Sequence, residues 1–257
     1  METLDTFLVS GIFAFMLIFV RIGTAITIMP GIGDSFIPQQ IRLFLALGMA
    51  LVLSPMIQPF VPNPIPAIPV LFSLILMEFI VGLFIGTVAR ILMTALDVAG
   101  MLISMTSGLA NAQVFNPALA AQGSITGALL SMTGVVLLFV TNLHHMLIYG
   151  LVESYQMFPI GEVPDSGSMA EMMSRAVSAS FMIGFQIAMP FIVVALLLYI
   201  GMGVLSRLMP QIQVFMLTLP LQILLSMITL LFVVSSVMLF WLTKFEEGMM
   251  FFLTSAG

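Results

Sequence analysis

Three observations predict an all-α integral membrane protein. Of 257 residues, 61% are hydrophobic and only 7% charged. The mean hydropathy is +1.25. Apolar runs recur along the chain, several of them near the length of about 20 residues at which a helix crosses a bilayer. A soluble domain carries about 25% charged residues, so this chain has too few to cover itself with a water-facing surface. The formal net charge of −5 comes from few groups and includes no basic patch, so nucleic acid is not an expected partner. Cysteine is absent, which excludes disulfides and thiolate metal sites. No nucleophile–base arrangement, P-loop or cofactor motif is visible. Neither an enzyme nor a cofactor is expected. The 24 methionines are adaptable filling or a deformable surface around something that changes shape. The N-terminus, Met1-Glu2-Thr3-Leu4-Asp5, is acidic where a cleavable signal would be basic, so the first apolar run is expected to stay.

That run is Phe7 to Met29, with Arg21 inside it. A buried arginine is costly, so Arg21 either faces protein or snorkels to the interface. Pro30-Gly31-Ile32-Gly33-Asp34 reads as a turn. Leu43 to Leu53 forms the second run. Pro55, Pro59, Pro62, Pro64, Pro66 and Pro69 then predict an extended connection, because proline interrupts a helix. Val70 to Ala89 is the third run and carries Glu78, followed by Gly82 and Gly86. An intramembrane carboxylate marks a functional site or a satisfied interhelical bond. Arg90 is read as the start of a fourth segment, which holds Asp97. The fifth run is Gly127 to Gly150, with Asn142, His144 and His145 near its end. The adjacent histidines point to different helix faces and cannot chelate a metal as an i, i+4 pair would. Glu153 to Arg175 is the one long polar connection. The sixth run carries small residues at Ala176, Ser180, Gly184 and Ala188, then Pro190. Met216 to Thr243, holding Pro220, is the last, and Lys244-Phe245-Glu246-Glu247 is read as its end. Seven crossings would put the termini on opposite sides, with the C-terminal side cytoplasmic by its positive charges.

One stretch stands apart. Gly100, Ser104 and Gly108 recur every fourth position, and so do Gly123, Gly127 and Ser131. Each set lies on one helical face, where another backbone can approach closely. Between them runs an uncharged, amide-rich break containing Pro117. A polar break at membrane depth is tolerated only against protein or a water-filled cavity, so it reads as a constriction or gate.

Particular residues resemble the flagellar biosynthesis FliR family. Arg21-Ile22-Gly23, Pro30, Pro38 and Arg42 are similar to its opening. Ala99-Gly100, Gly108-Leu109-Ala110 and Phe115-Asn116-Pro117 are similar to its central motif. Leu205 to Phe215, with Arg207, Pro210, Gln211, Val214 and Phe215, then Pro220, are similar to its C-terminal signature. The order and spacing match from about Val9 to Glu247. The resemblance implies bent and broken helical hairpins packed into a helical export-gate assembly. It also implies a subunit of the flagellar type III protein export gate, in the bacterial inner membrane at the flagellar basal body. FliP-like and FliQ-like gate subunits, an FlhB-like switch protein and unfolded export substrates are the implied partners. Residues 1–152 would be a FliP-like half, 153–175 the polar connection and 176–257 a FliQ-like half of one membrane domain. The family's central plug carries over to Gly108, Asn111, Val114, Phe115, Asn116 and Pro117.

The chain departs from the family pattern at Met101, Ser104, Thr106, Asn116 and Gln222. Three other readings stay open. Similar proteins serve virulence injectisomes. A proton-linked secondary transporter would use the buried polar residues Glu78 and Asp97. A scaffold without a pore is the third.

Overall fold

The computed structural model describes residues 4–58, 61, 67–111, 124–209 and 214–254, with the backbone alone for 4–9, 214–215 and 251–254. Among these residues the chain is entirely helix and turn. We number the helices α1 (Leu4–Ile28), α2 (Gln39–Ile57), α3 (Ile68–Thr106), α4 (Ile125–Val140), α5 (Leu143–Met157), α6 (Ser166–Leu208) and α7 (Val214–Thr254).

Five of these are long and apolar enough to cross a membrane, or six spans if the broken pair α4 and α5 counts as one. The seven-crossing expectation is corrected accordingly. At 1.5 Å per residue α3, α6 and α7 are each about 60 Å long, roughly twice the hydrocarbon thickness. Arg90 does not open a new segment. It is a good helix former, its guanidinium is taken up by Asp34, and α3 runs through it. The charges at Lys244–Glu247 likewise ride within α7. The fifth run is broken, because Asn142 sits at φ 61°, the left-handed region asparagine tolerates best after glycine. Proline excludes less helix than its density predicted. Pro55 lies inside α2 near its end, and Pro69 sits in the first turn of α3, where no intrahelical N–H bond is due. Pro59, Pro62, Pro64 and Pro66 lie outside the described residues. The polar connection is also shorter than Glu153–Arg175. α5 continues to Met157 and α6 starts at Ser166, while Glu171 and Arg175 pair at i, i+4 on an exposed face of α6.

Contacts group the chain into two compact units, neither continuous in sequence. The first holds residues 1–91, 138–176 and 247–257, and the second 92–137 and 177–246. In the first, α3 lies close against α1. A Cβ at Gly82 would stand 2.1 Å from Thr24 Oγ1 and 2.4 Å from the Arg21 carbonyl oxygen, and one at Gly86 would stand 2.9 Å from the Ala25 carbonyl oxygen. Only glycine permits that approach. The turn after α1 is braced by side chains. Asp34 accepts from the Gly31 N–H, and Arg42 donates to the carbonyls of Gly33 and Ile37.

In the second unit the α3 ladder meets the α4 ladder at Gly100 and Gly127, while Gly123 lies outside the described residues. A Cβ at Gly100 would fall 2.1 Å from the Cα of Gly127. The ladder of α6 packs on α3. A Cβ at Gly184 would lie 2.9 Å from the Ala95 carbonyl oxygen, and Ser180 shares a 3.2 Å hydroxyl contact with Thr94. Trp241 of α7 is fully buried, with its indole N–H directed to the Leu92 carbonyl.

Candidate functional site: the root of the central break

The second unit holds both arms of the central break. α3 ends at Thr106, and Gly108 takes φ 75°, the left-handed residue that commonly terminates a helix. The Ala110 N–H bonds back to the Ser104 carbonyl at 3.0 Å, and the Asn111 N–H to Gly108 at 3.1 Å. On the far side Ser124 precedes α4. Its hydroxyl donates to the Gly100 carbonyl at 2.8 Å, accepts the Gly127 N–H at 3.1 Å and lies 3.0 Å from the Ser104 hydroxyl oxygen. One serine therefore caps α4 and ties it to α3. Ser104 and Thr126 lie 3.3 Å apart, both buried. The close Gly100–Gly127 approach makes these short hydroxyl bonds possible.

A third element reaches this root. Gln222 of α7 is 6% exposed. Its Nε2 donates to the Thr106 carbonyl and to Tyr199 Oη at 3.1 Å. Its Oε1 would be 3.4 Å from a Cβ at Gly108. Gln222 entered the sequence reading only as a departure from a motif. The signal for it was a lone amide in an apolar run, but nothing local named its partner.

Of the residues expected to form the plug, Gly108 stands at this root and Asn111 is exposed just beyond it. Val114, Phe115, Asn116 and Pro117 lie outside the described residues. Of the C-terminal signature, Arg207 is exposed in the last turn of α6, where a cation suits the helix end. Pro210 and Gln211 lie outside the described residues. Val214 and Phe215 open α7, described by backbone alone, and Pro220 lies within that helix.

The charged residues divide sharply. In the first unit Arg21 is 1% and Glu78 2% exposed. Arg21 Nε donates to Glu78 Oε2 at 2.6 Å and Nη2 to Oε1 at 2.9 Å. Nη1 reaches the Ser154 carbonyl at 3.1 Å and Nη2 the Phe158 carbonyl at 2.8 Å. The Tyr155 ring lies 4.0 Å from Cζ, within cation–π range. Arginine carries five N–H donors, and this set engages all three of its nitrogens. Arg21 therefore faces protein rather than snorkelling, and it clamps α1, α3 and the end of α5 together. Glu78 is one turn before Gly82, so the close packing of α3 on α1 is what delivers it to Arg21.

Asp97 corrects the sequence expectation. It was expected to be buried, but it is exposed and accepts from the Ser131 hydroxyl. Its neighbours Ala95, Leu96, Ala99 and Gly100 occupy the inward face of α3, which leaves position 97 outward. The two carboxylates thus have separate partners. Among the described residues no group of three or more potential ligands could hold a metal ion.

The family model described as bacterial export proteins, family 1, matches residues 12–248. The flagellar biosynthetic protein FliR of Caulobacter vibrioides is 38% identical over 232 residues, covering 90% of this chain and 92% of the relative. FliR of Bacillus subtilis is 28% identical, with 85% of each chain covered. The Yop proteins translocation protein T of Yersinia pestis is 31% identical over 156 residues, 59% of this chain and 60% of the relative.

Proposed function

From the premise that the chain belongs to the bacterial export proteins of family 1, we propose that it is a subunit of the flagellar type III protein export gate. It sits in the bacterial inner membrane at the flagellar basal body. Gly108 and residues 111–117 are its plug, and unfolded flagellar proteins pass when that segment gives way. The observation that carries this reading is the pair of arms around the segment. α3 and α4 meet at Gly100–Gly127, and Ser124, Ser104 and Thr126 tie them beside the break. A segment rooted between two locked arms can reorder without the arms parting. Phe115 would then act as an apolar obstruction, since a hydrophobic constriction blocks ions by dewetting. The chain acts in this reading as a conduit and not as a catalyst.

FliP-like and FliQ-like subunits and an FlhB-like switch protein would complete the gate, with residues 1–152 and 176–257 as its FliP-like and FliQ-like halves. The many outward apolar residues of α2, α3, α6 and α7, such as Phe44, Phe72, Phe181 and Phe232, suit lipid or neighbouring helices. The flagellar system is favoured over an injectisome, because the Caulobacter and Bacillus FliR proteins align over 85% or more of both chains and the Yersinia protein over about 60%. A proton-linked transporter finds little support, since both Glu78 oxygens are held by Arg21.

The test is a deletion of Ala110–Pro117. Gates assembled with this variant should conduct ions across a vesicle membrane at rest, while wild-type gates stay closed. Unchanged conductance with normal assembly would refute the plug.

A further inference from the structure

We propose that the groove between α1 and α2 binds one anionic phospholipid, with Arg42 on the headgroup phosphate and an acyl chain lying along the helices. The inference is independent of the plug reading and needs only a chain embedded in a membrane.

The groove has a volume of about 640 Å³, within the ~300–1,000 Å³ typical of small-molecule sites. All of its lining residues belong to the first unit. α1 and α2 are both of membrane-spanning length. Two crossing helices joined by a short turn meet at one membrane surface, so the end of α1 and the start of α2 lie at headgroup depth. Thr27, Gln39 and Arg42 line the groove at that end. Deeper in, its walls are Phe19, Val20, Gly23 and Ala46, with Phe79 of α3 beside them. From Thr27 to Phe19 it follows α1 for about 12 Å. A Cβ at Gly23 would stand 3.8 Å from the Phe19 ring and 3.9 Å from Ala46 Cβ, so the absent side chain leaves room between the two helices. The groove is thus polar at the headgroup level and apolar below it, the polarity of a lipid.

The charge at its mouth is uncompensated. Arg21, Arg90 and Arg175 each pair with a carboxylate, but Arg42 meets none among the described residues. Asp34, the carboxylate nearest to it in sequence, is taken by Arg90 and the Gly31 N–H. Arg42 donates instead to the Gly33 carbonyl at 3.2 Å and to the Ile37 carbonyl at 3.2 and 3.0 Å. A guanidinium has five N–H donors, so three are spent and two remain. The carbonyls hold the half-buried cation in place, and its spare donors suit a phosphate. Gln39 is exposed and makes no hydrogen bond among the described residues, which leaves its carboxamide for the ester or hydroxyl groups beside that phosphate. A free phosphate would fill the mouth and leave the apolar walls bare, whereas a lipid covers both.

The test uses the chain in its complete membrane complex, purified in mild detergent. The complex is titrated with short-chain phosphatidylglycerol, with phosphatidylcholine of the same chain length, or with inorganic phosphate, and bound lipid is counted by native mass spectrometry. Arg42→Gln removes the charge. It should weaken phosphatidylglycerol at least about fivefold, the factor one cation contributes toward an anionic lipid, and leave phosphatidylcholine unchanged. Gly23→Leu fills the groove and should weaken both lipids alike. If Arg42→Gln does not assemble, Gly23→Leu carries the test: loss of bound phosphatidylglycerol supports the site and unchanged binding overturns it. Displacement of the lipid by inorganic phosphate would reduce the site to an anion site and overturn the proposal. So would lipid binding that neither substitution alters, or a photoreactive residue in place of Leu43 that captures a neighbouring protein helix instead of lipid.

Discussion

Replacing Glu78 with glutamine should cost this protein more than any exposed substitution. The arginine opposite is 1% exposed and cannot shed its charge. Two charge-assisted bonds, at 2.6 and 2.9 Å, would be replaced by at most one neutral acceptor. Removing one partner of a buried pair costs about 3–5 kcal/mol. For a chain of this size each kcal/mol moves the melting midpoint by about 2–4 °C, so the midpoint should fall by roughly 6–20 °C. Arg21→Met should cost a similar amount, since it strands the carboxylate and frees the Ser154 and Phe158 carbonyls. The double variant Arg21→Met with Glu78→Leu removes both charges together. Its loss should fall well short of the sum of the singles, leaving a coupling of several kcal/mol, at or somewhat above the ~0.5–3 usual for contacting residues. Thermal denaturation in mild detergent reads the midpoint, and amide exchange at Ser154–Phe158 reads the clamp locally. A loss below about 1 kcal/mol for Glu78→Gln, the level of a solvent-exposed pair, would refute the argument. So would strict additivity.

Two further outcomes follow from the geometry. Gly100→Val should force α3 and α4 apart, because even a methyl would sit 2.1 Å from Gly127 Cα. We expect a loss of at least the ~1–3 kcal/mol typical of overpacking, while Gly201→Ala, with nothing within 4 Å, should be neutral or stabilising by under about 1 kcal/mol; melting midpoints of the two variants check this. Asp165 precedes α6 and accepts from the Ser168 hydroxyl and from the N–H groups of Gly167 and Ser168, which together hold its carboxyl below its ordinary pKa. A depressed folded pKa means that the cap is fully present above the ordinary carboxylate range and is lost as pH falls through the lowered folded value. Amide exchange at Gly167 and Ser168, corrected for its intrinsic pH dependence, should therefore quicken on acidification, and Asp165→Asn should abolish that response.

Much of the fold was legible because membrane chains state their solvent plainly. Apolar runs and small-residue spacings marked the helices and their contact faces. Gly82, Gly86, Gly100, Gly127 and Gly184 all lie where another helix comes close. What misled were local signs of interruption. Arg90 and Lys244 read as ends because charge is costly in lipid, yet a helix continues through a charge whose side chain can find a partner or leave the apolar layer. Asn142 read as a polar flank and is instead a left-handed break. The site was legible only in part. Asn111–Pro117 stood out by composition, and most of that stretch lies outside the described residues. Which polar groups would pair did not stand out at all. Arg21 and Glu78 are separated by 57 positions, and Gln222 and Thr106 by 116. No spacing rule connects such residues, because helix periodicity gives a face and not the neighbour that fills it.

The glycines and the polar contacts share one cause. Glu78 lies a turn before Gly82, and Ser104 lies a turn after Gly100. In each case the missing side chain brings a neighbouring backbone close, and the polar group one turn away then reaches across. Arg21 is satisfied because α3 rests on the backbone of α1 at Gly82. Ser124 reaches the Gly100 carbonyl because α4 rests on α3 at Gly127. A bulky residue at Gly82 should consequently damage the Arg21–Glu78 clamp as surely as losing either charge. The small-residue ladders of this chain are thus more than packing surfaces. They set the distances at which a few polar groups, in a protein with few of them, find one another.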